Sequence, residues 1–367
     1  MSKWETVSFD EALSIVNGKN QMQVEDPNGQ YPIYGSGGIM GYANDFLCPA
    51  NTVVIGRKGT INRPIFVDEP FWNVDTAFGL KANEKILFPK YLYYFCEKFD
   101  FTQLNTTVTI PSLTKTNLLK IAIPLPPLPV QQQIADVLDR ASALIEKRKL
   151  QIEKLDLLIK SRFVQMFGDP ITNPMGWVKK PLGEECGVVT GNTPPRSDSE
   201  NYGDYIEWIK SDNINTPNMY LTTAAEGLSK KGLALGRSVE AGAVLMTCIA
   251  GSISCIGNVA ISNRKVSFNQ QINAVVSNSH NPYYLYNLFL LSKPYIQSTV
   301  NMSLKGILSK GKMLELNFPF PSIDLQAQFA TFVHQVEAQK SRLQQSLTLL
   351  ERNYKSLMQK CFRGEVF

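Results

Sequence analysis

A chain of 367 residues, 44% hydrophobic and 19% charged, is too long for one ordinary domain and too apolar for wholesale disorder, so two or three packed domains are expected. A net charge of +5, from 37 basic and 32 acidic residues, suits a phosphate-rich partner but is too mild to require one. The start lacks an apolar stretch behind a basic one, no apolar run reaches the roughly 20 residues that span a bilayer, and the six scattered cysteines form no Cys-x-x-Cys pair. These features predict a cytoplasmic protein with reduced thiols and no membrane contact, and with His280 and His334 as its two histidines no metal site is expected.

Taken in chain order, the first segment carries Trp4 and Gly18, then the glycine cluster Tyr31-Pro-Ile-Tyr-Gly-Ser-Gly-Gly38. Thr52-Val-Val-Ile-Gly-Arg-Lys-Gly59 reads as a buried strand running into a glycine turn. Pro89-Lys-Tyr91-Leu-Tyr-Tyr94 opens a short aromatic helix. A proline-rich entry, Ile121-Ala-Ile-Pro124-Leu-Pro126, leads through Gln131 into a stretch without proline or glycine. Its apolar positions Ile134, Leu138, Ala141 and Ile145 continue at heptad spacing through Arg148, Ile152, Leu155, Ile159 and Arg162 to Met166, and it stops at Gly168.

The same order then recurs. Trp177 and Gly191 repeat the spacing of Trp4 and Gly18. Ala243-Val-Leu-Met-Thr-Cys-Ile-Ala-Gly251 repeats the buried strand and its glycine turn, and Pro282-Tyr-Tyr-Leu-Tyr-Asn287 repeats the aromatic helix start. Residues 119–167 can be laid on residues 314–362 at a constant shift of 195, with Pro319, Pro321 and Gln326 falling on Pro124, Pro126 and Gln131. The second seam runs from Phe329 and Val333 to Leu357 and Cys361 and stops at Gly364. Two matched helices of about 38 residues, roughly 57 Å at about 1.5 Å per residue, pack most economically on each other, and approximate two-fold symmetry makes the pair antiparallel. The predicted fold class is therefore α+β: two mixed, strand-rich domains with pseudo-two-fold symmetry, separated by two long antiparallel helices forming a coiled coil. The domain boundaries expected are 1–128, then 129–168 for the first long helix, 169–323, and 324–367 for the second helix and C-terminus.

Several motifs resemble active sites without completing one. Gly306-Ile-Leu-Ser-Lys-Gly311-Lys312 fits a phosphate-binding loop, but Met313 lacks the hydroxyl needed for magnesium. Asn281-Pro-Tyr-Tyr284 lacks the second proline of an amino-methyltransferase motif and reads better as a helix start. The glycine cluster after Tyr34 has no strand-and-helix frame, and Asp204, Glu207 and Lys210 lack the spacing of a nuclease triad. No catalytic residue is assigned.

The residues from Trp177 to Ile214, including Gly-Asn-Thr-Pro-Pro195 and Tyr202-Gly-Asp-Tyr-Ile-Glu-Trp-Ile-Lys-Ser-Asp-Asn-Ile, resemble one form of target-recognition domain in the specificity subunits of Type I restriction–modification systems. Tyr31-Pro-Ile-Tyr-Gly-Ser-Gly-Gly, Ile55-Gly-Arg-Lys-Gly-Thr and Phe71-Trp-Asn-Val-Asp-Thr-Ala-Phe resemble another, and the repeated proline-rich entry with its helix resembles the family's two spacers. The resemblance covers essentially the whole chain. It implies a non-enzymatic subunit that reads a bipartite, asymmetric target in double-stranded DNA, one domain per half-site. The helix pair would dock two methyltransferase subunits and, through them, restriction and translocase subunits. S-adenosylmethionine, ATP and magnesium would belong to those partners, with no cofactor on this chain. A recognition subunit of a Type IIB-like enzyme and a coiled-coil adaptor that binds no DNA are the alternatives.

Contact with DNA calls for Lys and Arg at phosphates and for polar or basic side chains on loops at base edges. The first domain's loops offer Tyr34, Ser36, Arg57, Lys58, Thr60 and Lys115. Those of the second offer Thr193, Arg196, Lys210, Asp212, Asn213, Ser252, Lys305, Lys310 and Lys312. For docking of partner subunits, Val137, Leu144, Leu158 and Phe332 lie beside the helix seams.

Overall fold

A computed structural model describes residues 3–104, 112–302 and 306–367. The chain divides into two compact units, Met1–Leu150 with Leu343–Phe367, and Gln151–Arg342. The fold is mixed α and β, with long helices Leu128–Phe167 and Ile323–Arg363 that each contribute residues to both units. Among the described residues no helix is long and apolar enough to cross a membrane.

In the first unit a four-stranded antiparallel sheet runs in the order Leu13–Asn17, Ala77–Ala82, Thr52–Gly56, Ile65–Val67. The β-branched run Val53, Val54, Ile55 forms one of its two inner strands and is buried on both faces, as a continuous apolar run requires. A smaller sheet joins Gly38–Ala43, Tyr31–Gly35 and Trp72–Asn73, the last pair parallel. The core collects Phe9, Leu80, Tyr91 and Phe95 with Ile134 and Leu138 of the first long helix and Met358, Cys361 and Phe362 of the second.

The second unit repeats this plan. Its four-stranded antiparallel sheet runs Gly187–Thr190, Ile272–Val276, Val244–Thr247, Val259–Ile261. A second sheet contains the parallel pair Tyr202–Ile209 and Val266–Phe268. The matching glycines exist for one reason: a Cβ on Gly18 would sit 1.8 Å from the Val74 carbonyl oxygen, and one on Gly191 would sit 2.1 Å from that of Asn269.

The repeated Pro, Tyr and Gln residues join each domain to its long helix. Tyr91 Oη donates to the Pro124 carbonyl at 2.8 Å, and Tyr284 Oη donates to that of Pro319 at 2.7 Å. Gln131 accepts from the Phe88 amide at 2.7 Å and donates to the Ile86 and Pro126 carbonyls, both at 2.8 Å. Gln326 accepts from the Asn281 amide at 3.1 Å and donates to the Pro321 carbonyl at 2.9 Å and to His280 Nδ1 at 3.0 Å. Both glutamines are fully buried, and each saturates helix-start and loop groups at its joint.

Within the second unit the two long helices run in opposite senses. In the second unit Phe163 meets Phe329 at 5.5 Å between ring centroids, while Asp156 meets Lys340 at 2.5 Å. The seam departs from the expected heptad there: Phe163 and Phe167 are buried, whereas Arg162 and Met166 are only half-buried. The spacing Leu155, Ile159, Phe163, Phe167 is four residues at every step, longer than the roughly 3.5 of a heptad, and moves the buried stripe along by one residue as a four-residue insertion in a heptad pattern does. Gly168 and Gly364, with φ of 77° and 74°, close the helices in the left-handed conformation expected of a C-cap.

Candidate nucleic-acid interface

In the first unit three loops meet around Arg57. The buried strand Thr52–Gly56 delivers the chain to a tight turn, where a Cβ on Gly56 would lie 2.0 Å from the Thr60 carbonyl oxygen and 3.1 Å from Ser36 Cβ. Gly59, at φ 78°, completes the turn, and the space beside it holds Ser36 Oγ. The Leu113 amide donates to the Arg57 carbonyl at 2.9 Å, and Lys58 is bridged to Ser112. Ser36, Arg57, Lys58 and Thr60 are thereby brought side by side. Lys115 follows at the start of the helix Lys115–Leu119 and donates to the Ile15 carbonyl at 3.2 Å. Tyr34 stands half-buried against Phe71, and burial, then Glu69 and Asp68, push its phenol above the ordinary tyrosine range.

The cations of this group are not neutralised. The first unit's ion pairs are Lys81–Glu84, Lys90–Asp139, Lys149–Glu146 and Arg363–Glu365, and among the described residues none involves Arg57, Lys58 or Lys115. The Arg57 guanidinium lies instead over the Phe78 ring at 5.7 Å. Positive charge held on a rigid turn without a carboxylate partner is suited to an anionic oxygen.

The second unit arranges its cations differently. Arg196 lies over Tyr202 at 4.4 Å and Trp208 at 5.0 Å, and Lys210 lies over Trp208 at 5.2 Å. Both cations reach one carboxylate: Arg196 Nη2 is 2.9 Å and Lys210 Nζ 2.5 Å from Glu226. Hydrogen bonds from Lys210 and then Arg196 hold the Glu226 carboxyl below its ordinary range. The rings are themselves pinned, Tyr202 Oη to the Pro194 carbonyl at 2.7 Å and Trp208 Nε1 to that of Asn192 at 3.3 Å. Sequence reasoning selected Arg196 and Lys210 but missed Glu226, which is 30 and 16 residues away along the chain.

The other selected residues scatter in role. Asn213 is buried and spends its amide on Thr222 Oγ1 and the Thr223 carbonyl, while Asp212 beside it is exposed. Thr193 bonds Gln270. Ser252 is exposed and bonded to Ser254 at 2.7 Å. It follows the strand Ile249–Ala250, which pairs with Gly306–Ile307; Lys310 begins the next helix, and Lys312 donates to the Thr299 carbonyl. Lys305 lies outside the described residues. Glu207 of the incomplete nuclease pattern is gripped by Arg264 at 2.6 and 2.7 Å while Lys210 turns to Glu226, so those groups do not converge. Asn281 caps the helix Pro282–Leu291 through the Tyr283 amide at 3.0 Å.

On the long helices Leu144 and Leu158 are exposed, 54% and 46%, whereas Val137 and Phe332 are half-buried, Phe332 beneath the Arg162 guanidinium at 5.7 Å. Leu157, 62% exposed, was not selected from the sequence.

The paired domains and their joints match a known family. A model of the Type I restriction modification DNA specificity domain matches residues 1–154 and 174–352. The chain belongs to that family. The MjaVIII Type I restriction enzyme specificity subunit of Methanocaldococcus jannaschii is 23% identical over 99% of this chain and 93% of its own length. Local matches to two Haemophilus influenzae proteins, 28% and 29% identical, span only 38% and 22% of those proteins. The fold is shared with the crystal structure of the Type-I restriction-modification system S subunit from M. genitalium, at a TM-score of 0.62 and 16% identity over 98% of this chain and 96% of that one. Within this chain the matched Gly18 and Gly191 and the two domain-to-helix joints are the shared frame of the halves, and the Arg57 and Arg196 clusters are where the halves differ.

Proposed function

We propose that the chain is the DNA-specificity subunit of a Type I restriction–modification enzyme and that each of its two strand-rich domains reads one half of a split, asymmetric target in duplex DNA. The observation that carries this reading is the repeat. Two domains of one plan are fastened to two long helices by the same Tyr and Gln joints, while their loop chemistry diverges, with unpaired Arg57 and Lys58 in one and Arg196 and Lys210 paired to Glu226 in the other. Identical frames with different loops are what a reader of two dissimilar half-sites needs. The helices set the unread spacer and dock two modification subunits at exposed apolar positions including Leu144 and Leu158, and restriction subunits join through them. Adenine methylation with S-adenosylmethionine and ATP-driven cleavage with magnesium reside on those cytoplasmic partners, and this chain supplies no catalytic group.

The test is methylation mapping of DNA from cells that express the chain with its modification subunits. A split motif with two defined halves and a fixed gap is expected. Absence of any sequence preference, in a complex shown to be assembled, overturns the reading.

A further inference from the structure

In the first unit Lys58 is exposed and Arg57 half-buried, and neither has an ion pair among the described residues, whereas in the second unit Arg196 and Lys210 are already spent on Glu226. A carboxylate bridging a guanidinium and an ammonium at 2.9 and 2.5 Å presents the same charge and the same acceptor geometry as a phosphate oxygen pair. The rings of Tyr202 and Trp208 fix both cations in place, so neither swings freely to another anion. We infer that Glu226 is a specificity-determining residue that occupies the place of a DNA phosphate between Arg196 and Lys210, and so withholds both from duplexes that lack the target half-site. Non-cognate DNA offers only phosphate in exchange for a carboxylate already bound, which gains little. A cognate half-site adds base-edge contacts from the surrounding loops, and these offset the loss of the internal pairs. The inference rests on the DNA-reading role proposed above.

The geometry makes opposite predictions for the two ends of the ion pairs. With the full chain assembled with its modification subunits, binding to a duplex lacking the target is measured from about 50 to 200 mM salt. Glu226→Gln frees two cations, so non-specific affinity rises and the slope of log K against log salt steepens by about 0.9 for each phosphate gained. The ratio of specific to non-specific affinity falls. Arg196→Gln alone leaves the non-specific slope unchanged, because its cation was not in use, but lowers it in the Glu226→Gln background. An unchanged slope in folded Glu226→Gln overturns the inference. So does a slope reduced by Arg196→Gln in the otherwise unaltered protein, a result that does not depend on Glu226→Gln folding. If the unaltered complex binds no duplex at any salt, the DNA-reading role itself fails instead.

Discussion

Single side chains divide here between those that carry the frame and those that face a ligand. Gln131, itself buried, satisfies one amide and two carbonyls, the Pro126 carbonyl buried and the other two partly so. Gln131→Leu leaves them unpaired and lowers stability by about 1–3 kcal/mol, read by chemical denaturation, with sequence preference unaltered. Arg57→Gln acts the other way: stability holds, affinity drops for every duplex, and the salt slope becomes shallower by about one phosphate equivalent. The repeat made both glutamines visible, yet not their task, since Gln131 meets Phe88 and Gln326 meets Asn281, each more than forty residues distant in sequence. Asn213 shows the converse difficulty. Its residue type and loop position suit a base edge, but its amide is committed to Thr222 and Thr223.

At the scale of elements, the second long helix carries a carboxylate at a poor place. Glu337 Oε1 is buried without a hydrogen-bond partner, its nearest cation Lys340 is 4.0 Å away, and burial raises its pKa above the ordinary carboxylate range. A group that holds its proton more tightly when folded favours the fold most at low pH and loses that contribution as pH rises through its folded value. Glu337→Gln therefore raises the melting temperature at pH 7 and leaves it nearly unchanged at pH 4. Leu158→Asp, at an exposed position, leaves the melting temperature of the chain alone but weakens assembly with modification subunits, measured by co-purification and light scattering. Apolar spacing was sufficient to find both long helices, their glycine stops and the buried strand Thr52–Gly56. It misplaced the seam near Phe163 and Phe167 because a strict seven-residue count has no room for the successive four-residue steps that begin at Leu155.

For the molecule as a whole, the proposed role separates distance from reading. Removing or adding about one heptad between Arg148 and Leu158 changes the length of the unread spacer, or abolishes binding, while both half-site sequences persist in methylation maps. Replacing residues 1–128 by another domain of the family alters one half-site, and a change in both would contradict the division of labour. What permits such an exchange is the way each domain is fastened. The Tyr91 and Gln131 bonds end on backbone groups of Pro124, Pro126, Ile86 and Phe88, so they ask for a chain path and hardly at all for side-chain identity. The second joint also takes in a side chain of its domain, because Gln326 meets the imidazole of His280, itself tied to Glu185 at 2.8 Å. Side chains of the first domain are engaged as well, since Lys90 and Tyr94 both reach Asp139 of the first long helix at 2.5 Å and Glu97 accepts from Tyr354 of the second at 2.8 Å. A substitute for either domain thus needs the right backbone, one tyrosine and polar partners of its own for the helices.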